Sequence, residues 1–302
     1  MAKAGLLFVG TDDGLIQFSD PGGIGRWFRV GQTLNGQSVL AIWPVVDAPL
    51  EVLAATSQAL YRTTNGAQQW ETVLEADLLT VLGHPRDAHA LYALTRGGAL
   101  FHSTDNGVTW QPCASVGPSA AQAQLLVAHE DATRLYLRLD DTLWLSEDGG
   151  NSWRPYGQAL PPNTAQIAAD PAQPGALYAI AGDTAYACAG ADAAWQALGR
   201  AGAGVCQGLI VLTGKQPVLL ASWTEAGLHR SEDGGATWSI VGDSDIWNGR
   251  ATVLSAARFH MDNAFAASTG GQLMHSSDRG RTWQALKSDL GTIRSLVATR
   301  LR

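Results

Sequence analysis

The chain has 302 residues, a net charge of −7, 46% hydrophobic and only 16% charged residues. The acidic balance argues against nucleic-acid binding, which needs a basic face, and against docking on an anionic membrane surface. Ample apolar content with few charges suits strands covered on both faces, while length alone leaves one or two domains open.

The N-terminus reads MAKAGLLFVGTDDG, and its apolar run, Leu6 to Val9, is too short for a signal-peptide core. No later run is long enough to span a membrane. A cytoplasmic chain is expected; a secreted chain trimmed of its leader and given Met1 would read the same. Three short strand-like runs come next, LLFVGT, GLIQFS and RWFRVG, the last holding Trp27 at the end of SDPGGIGRW. That small, glycine-rich phrase then returns. It reads TTNGAQQW (Thr63–Trp70), STDNGVTW (Ser103–Trp110), SEDGGNSW (Ser146–Trp153), CAGADAAW (Cys188–Trp195), SEDGGATW (Ser231–Trp238) and SSDRGRTW (Ser276–Trp283). Four copies are complete, as Ser-x-Asp-x-Gly-x-Thr/Ser-Trp; the others are worn. The seven tryptophans are 43, 40, 43, 42, 43 and 45 residues apart, a period that marks blades or a solenoid array.

One period parses in full. Gln124–His129, Arg134–Leu139, Thr142–Ser146 and Trp153–Tyr156 read as four successive strands. Second strands recur as LEVLAAT, ALYALT and ALYAIA, and third strands as LYRTT, LFHST, LHRSE and LMHSS. Four antiparallel strands in about 43 residues make a propeller blade, whereas a solenoid needs polar capping repeats, and none is visible. Trp283 lies 19 residues from the C-terminus, so the wrap-around distance to Trp27 is 46, one more repeat. The N-terminal runs supply strands two to four of a blade, and Thr292–Thr299 (TIRSLVAT) supplies its inner strand. The prediction is an all-β, seven-bladed propeller over residues 1–302 in one domain, its first blade sewn from both termini with no open edge.

The repeated phrase falls between third and fourth strands, so it is a hairpin turn. Its aspartate (Asp105, Asp148, Asp233, Asp278) can accept turn N–H groups, its glycine takes a backbone shape other residues resist, and its tryptophan should bury between blades. One carboxylate per turn is too few for a calcium loop. These residues resemble the Asp-box, or BNR, repeat of a propeller superfamily that includes sialidases, xyloglucan hydrolases, sorting-receptor ectodomains and photosystem II assembly factors. The resemblance implies the fold and leaves the function open, because one fold hosts many activities.

Chemistry leaves few traces. Sialidases of the superfamily are six-bladed and use an arginine triad, a Tyr–Glu pair and an acidic proton shuttle. This chain has seven repeats, no Arg-Ile-Pro motif near its start, and Arg258 and Arg294 as its obvious inner-strand arginines. Xyloglucan hydrolases cleave between two propellers, each lending a carboxylate, and one propeller of this length offers half of that cleft. His84, His129 and His260 recur near inner-strand ends by descent of the repeat rather than as a metal ring. No phosphate loop, HExxH, GxSxG or paired Cys/His motif appears, and Cys113, Cys188 and Cys206 lack CxxC spacing. No cofactor or metal is expected.

What rises above the repeat is its deviations. Trp43, Trp144, Trp223 and Trp247 lie outside the periodic set; Trp144 occupies a core position filled elsewhere by Tyr61, Phe101 and Tyr186. Trp223 ends a second strand in the turn WTEAG, and Trp247 lies in the linker GDSDIWNGRA (Gly242–Ala251). Both segments belong to the face opposite the Asp-box hairpins, a face rich in Asp and Glu with Arg96, Arg200, Arg250 and Lys287 as its cations. The expected binding site is therefore Trp223, Glu225, Asp243, Asp245, Trp247 and Arg250, two exposed indoles beside three carboxylates. The first reading is a non-catalytic scaffold for a protein or peptide partner. A second is a carbohydrate-binding or glycoside-cleaving propeller that uses aromatic stacking and paired carboxylates. A third, an assembly factor like those of photosystem II, lacks the basic patch such relatives use.

Overall fold

Second strands read as unbroken apolar runs because they lie mid-blade, with another blade against each face. Val218–Trp223 and Leu177–Ala181 are buried at every position, while the outer strands Gln111–Pro112 and Ser239–Ile240 are exposed throughout. The computed structural model describes residues 4–116, 122–214, 216–241, 244–257 and 259–301. Its strands form seven four-stranded antiparallel sheets. Blades 2 to 7 each use consecutive strands; blade 1 takes its innermost strand, Ile293–Arg300, from the C-terminus. That strand runs antiparallel to Gly5–Thr11, from Gly5 opposite Arg300 to Thr11 opposite Ile293. The predicted closure is observed, with the strand displaced by one residue from Thr292–Thr299.

Seven apolar layers fill the seven gaps between blades. The gap closing the ring, between blades 7 and 1, holds Leu7, Phe18, Phe265 and Leu296. One repeat tryptophan packs in each gap: Trp70, Trp110, Trp153, Trp195, Trp238 and Trp283 in gaps 1–2 to 6–7, and Trp27 at the closure. Trp144 packs in the 3–4 layer, as its core position predicted.

The complete phrases repeat one bonding scheme. In blade 3, Ser103 Oγ donates to Asp105 Oδ1 at 2.8 Å and accepts the Gly107 N–H at 3.0 Å. Asp105 also accepts the Thr109 N–H at 2.9 Å and the Thr109 hydroxyl at 2.6 Å, and Trp110 Nε1 donates to Gly107 O. The same serine and carboxylate bonds recur around Asp148, Asp233 and Asp278, and the indole bond recurs at Trp238 and Trp283 but not at Trp153. The phrase glycine has φ between 78° and 98° in all four copies, a left-handed shape in which a Cβ is strained. The aspartate has spent its oxygens on its own turn, as the structural reading required.

Candidate binding site on the face opposite the Asp-box hairpins

The linker from blade 6 into blade 7 makes a 3-10 turn, Ser244–Ile246, and is then pinned to a hairpin of blade 7. Gln272 provides two bonds of the pin: its Oε1 accepts the Asn248 N–H at 2.8 Å and its Nε2 donates to Ile246 O at 2.9 Å. Thr269 N–H donates to Arg250 O at 2.8 Å and completes it. Trp247 is thereby laid against Trp283, centroids 5.7 Å apart, half-buried in the layer between blades 6 and 7. Its buried Nε1 has no hydrogen-bond partner among the described residues.

Beside this indole is a cleft of about 380 Å³ lined by Leu228, Ile240, Val241, Trp247 and Arg250. Its chemistry is an apolar floor with Arg250 as the charged residue of its lining. Ile240 is 71% exposed at the end of the outer strand of blade 6, and Ile246 is also exposed. Arg250 reaches over Gly227, with Nη1 3.9 Å from where a Cβ would stand. Glu225 and Asp245 are exposed on the same two segments. The structure thus brings the WTEAG turn and the linker together, as their place on one face implied. Asp243 lies outside the described residues.

Trp223 departs from expectation. It is fully buried in the layer between blades 5 and 6, edge-on to Trp238 at 5.9 Å and to His229 at 5.3 Å. Its Nε1 donates to Gly182 O across the gap, and a Cβ on Gly202 would lie 2.5 Å from its ring. The cause is strand parity: Leu219, Ala221 and Trp223 share one face of their strand, which points at blade 5, while Val218 and Leu220 point at blade 7. Trp223 is core, in a different gap from Trp247, and its removal would open a cavity rather than empty a site. Counting by two along VLLASW carries this signal. Ile240 and Val241 were missed because Ser239–Ile240 is too short a strand to show a pattern.

The opposite face is also less acidic in effect than its composition. Asp77 pairs with Arg96 at 3.5 Å, Asp183 with Arg200 at 3.3 Å, and Asp12 with Arg294 at 2.7 Å. Arg294 holds the Asp12 carboxyl below its usual range by hydrogen bonding, against the smaller effect of burial. Arg294, one of the two inner-strand arginines, is therefore committed to Asp12, and Arg258 lies outside the described residues. His84 bonds through Nε2 to His129 O at 3.1 Å, and among the described residues no three His, Cys, Asp or Glu side chains converge on a metal position. The three cysteines are free; burial pushes Cys113 up to about 11 and Cys206 up to about 12, away from nucleophilic use.

The family model for the BNR/Asp-box repeat matches residues 101–112, the first complete phrase. Over 71 residues, 24% of the chain, it is 35% identical to vacuolar protein sorting/targeting protein 10 of Colletotrichum graminicola and 37% to that of Sordaria macrospora. It spans 4% of the length of each of these relatives. YCF48 from Cyanidioschyzon merolae superposes with a TM-score of 0.64 at 14% identity, covering 84% of this chain and 87% of that one. YCF48 bound to D1 peptide gives 0.65 at 17%, covering 95% and 89%. An ancestral GH74 enzyme gives 0.69 at 17%, covering 94% of this chain and 45% of its own. With the matched repeat, the four-fold recurrence of its bonding scheme and seven closed blades, the chain is a BNR-like propeller carrying the Asp-box repeat.

Proposed function

We propose that the protein is a non-catalytic scaffold that binds a protein or peptide partner at the cleft between blades 6 and 7. The observation that carries this reading is the pairing of Ile240, 71% exposed, with the half-buried Trp247 floor in a cleft also lined by Arg250, with Glu225 and Asp245 exposed on the two segments that supply it. An apolar side chain seated there would bury against Ile240 and the indole, and Arg250 would orient a polar or acidic group beside it. That a propeller of this shape is found with a bound peptide, YCF48 with D1 peptide, supports the reading. A GH74 enzyme shares the fold, and among the described residues the lining of the cleft holds no carboxylate pair. A cytoplasmic setting, with reduced thiols, belongs to the same proposal.

The test is capture of partners by the wild-type protein and by Ile240→Asp, identified by mass spectrometry, alongside a glycan array. Loss of one buried isoleucine contact costs roughly 1.5–3 kcal/mol, ten- to a hundred-fold in affinity. A protein retained by wild type and depleted on Ile240→Asp is the expected result. Glycans bound equally by both proteins, with no protein depleted, would sink the reading.

A further inference from the structure

The gap that closes the ring opens into a polar cleft of about 570 Å³, on the face of the Asp-box hairpins and away from the cleft between blades 6 and 7. Its chemistry arises where blade 1 departs from the repeated phrase. Seven residues before the tryptophan, where complete copies place serine, blade 1 has Asp20 before Trp27. Serine spends its hydroxyl inside the turn, as Ser276 does on Asp278 and Gly280. Asp20 has two oxygens to place and uses one: Oδ2 accepts the Gly25 N–H at 2.7 Å.

Among the described residues Asp20 Oδ1 finds no hydrogen-bond partner, although the residue is only 3% exposed. Among the described residues it is the one buried carboxylate oxygen in that condition. Burying a carboxylate without a partner is costly, so its retention points to something that completes it. His275, equally buried in the same cleft, is not that group. Its Nε2–H donates to Asn263 Oδ1 at 2.6 Å and its Nδ1 accepts from the Gln284 amide at 3.3 Å, which fixes a neutral ring. Burial also pushes the His275 pKa down, against the smaller pull of Asp20. Arg300 lies over the Phe259 ring at 5.6 Å. The walls of the cleft include Phe259 and Trp27, whose buried Nε1 likewise finds no partner among the described residues.

We propose that this cleft binds an organic cation, a primary ammonium or guanidinium, with Asp20 as counter-ion and the Trp27 and Phe259 rings as walls. A cation supplies both what Oδ1 lacks, a donor and a compensating charge, and aromatic rings attract it further. A neutral hydroxyl supplies the donor alone. The volume accommodates a basic side chain with part of its backbone, or a free amine.

The experiment is an NMR titration of the full chain, read at the indole N–H of Trp27. The probes are N-acetyl-lysine methylamide, N-acetyl-arginine methylamide, butylammonium, N-acetyl-norleucine methylamide and methyl glucoside. Saturable shifts with the cations and none with the two neutral probes are expected. Tighter binding of the capped amino acids than of butylammonium identifies a basic side chain as the source; the reverse identifies a free amine. Asp20→Asn keeps an acceptor for Gly25 and removes the charge, so it should weaken cation binding at least ten-fold while raising the melting temperature of the ligand-free protein. Phe259→Ala leaves the turn intact and should weaken binding several-fold, which covers the case of an Asp20→Asn chain that does not fold. Ile240→Asp should change nothing here, which separates this site from the proposed partner cleft. Equal response to norleucine or glucoside, no saturation by any cation, or unchanged binding in Asp20→Asn would each overturn the proposal.

Discussion

Blades 5 and 6 are neighbours that close the same hairpin with different chemistry. In blade 6, Asp233 gathers the turn: it accepts Ser231 Oγ at 2.8 Å, the Thr237 N–H at 2.8 Å and the Thr237 hydroxyl at 2.6 Å. Two left-handed glycines, Gly234 and Gly235, bring those donors round. In blade 5, Cys188 stands in the serine position and its Sγ donates to the Gly190 and Ala193 carbonyls, at 3.1 and 3.3 Å. No carboxylate occupies the third position, which is Gly190, and no residue from 188 to 195 has a positive φ. Trp195 nevertheless packs in its gap as Trp238 does in the next. Each hairpin also leans on a glycine of the preceding blade: a Cβ on Gly157 or Gly199 would lie 1.5 or 2.1 Å from the Ala191 or Ala236 carbonyl oxygen. The blade therefore depends on the strand pattern, the tryptophan and the close approach of its neighbour, while the carboxylate adds local turn stability on top.

Acid is the broadest way to test that division, because it addresses all four complete phrases together. Asp233 is held down to about 2, first by the Thr237 hydroxyl. For Asp105, burial pushes upward most, yet the hydroxyls of Thr109 and Ser103 with two backbone N–H groups outweigh it and bring the carboxyl to about 2. Asp148 and Asp278 are lowered in the same way, Asp148 chiefly by Ser152 and Asp278 by Thr282 against burial. Folded values below the unfolded value of about 3.9 mean stability that is complete above pH 5 and lost as pH falls towards 2. The melting temperature should be flat from pH 7 to 5 and fall steeply between 4 and 2. Hydrogen exchange should show hairpins 103–110, 146–153, 231–238 and 276–283 losing protection in that window. Equal acid loss at 188–195 would break the comparison.

A single-site contrast comes next in size. Asp233→Ala removes charge-assisted bonds of a kind worth about 1.5–3 kcal/mol and should cost about 2 kcal/mol, since the exposed turn regains some bonds to water. Asp192→Ala, at an exposed position of the blade 5 turn, should stay within about 0.5 kcal/mol. Urea unfolding of both variants measures the difference; equal costs would mean that Asp233 is only another surface residue.

These contrasts follow what could and could not be read from residue order. The seven tryptophans and the distance from Trp283 round to Trp27 define the ring, because each repeat is one structural unit that must stack on the next. The site was legible only in part. Placing WTEAG beside the linker followed from strand direction, and Gly227 and Trp247 do line one cleft. Trp223 was misread because a tryptophan next to a turn looks exposed until strand parity is counted. Asp12 and Arg294, 282 positions apart, pair only because the ring closes, so no local pattern reveals that ion pair. Asp20 was passed over as part of a worn phrase; what singles it out is an unspent oxygen, a property of the folded turn.

The smallest effect concerns the worn phrase of blade 2, where an intermediate chemistry operates. Thr63 replaces serine and Asn65 replaces aspartate, and Asn65 Oδ1 still accepts Thr63 Oγ1 and the Gln69 N–H, each at 3.0 Å. The backbone also keeps its left-handed turn: Gly66 has φ 71°, and Ala67, in the place of the phrase glycine, has φ 68°. An L-residue there costs roughly 1–2 kcal/mol, because its Cβ crowds the following carbonyl. Ala67→Gly relieves that strain, but glycine loses about 0.5–1 kcal/mol more entropy on folding, and the Ala67 methyl packs in the layer between blades 1 and 2. The balance is a gain of about 0.5 kcal/mol. Urea unfolding should show a higher midpoint with an unchanged slope. A lower midpoint would mean that the buried methyl outweighs the strain, and that blade 2 has settled on alanine for packing where the complete phrases settle on glycine for turn geometry.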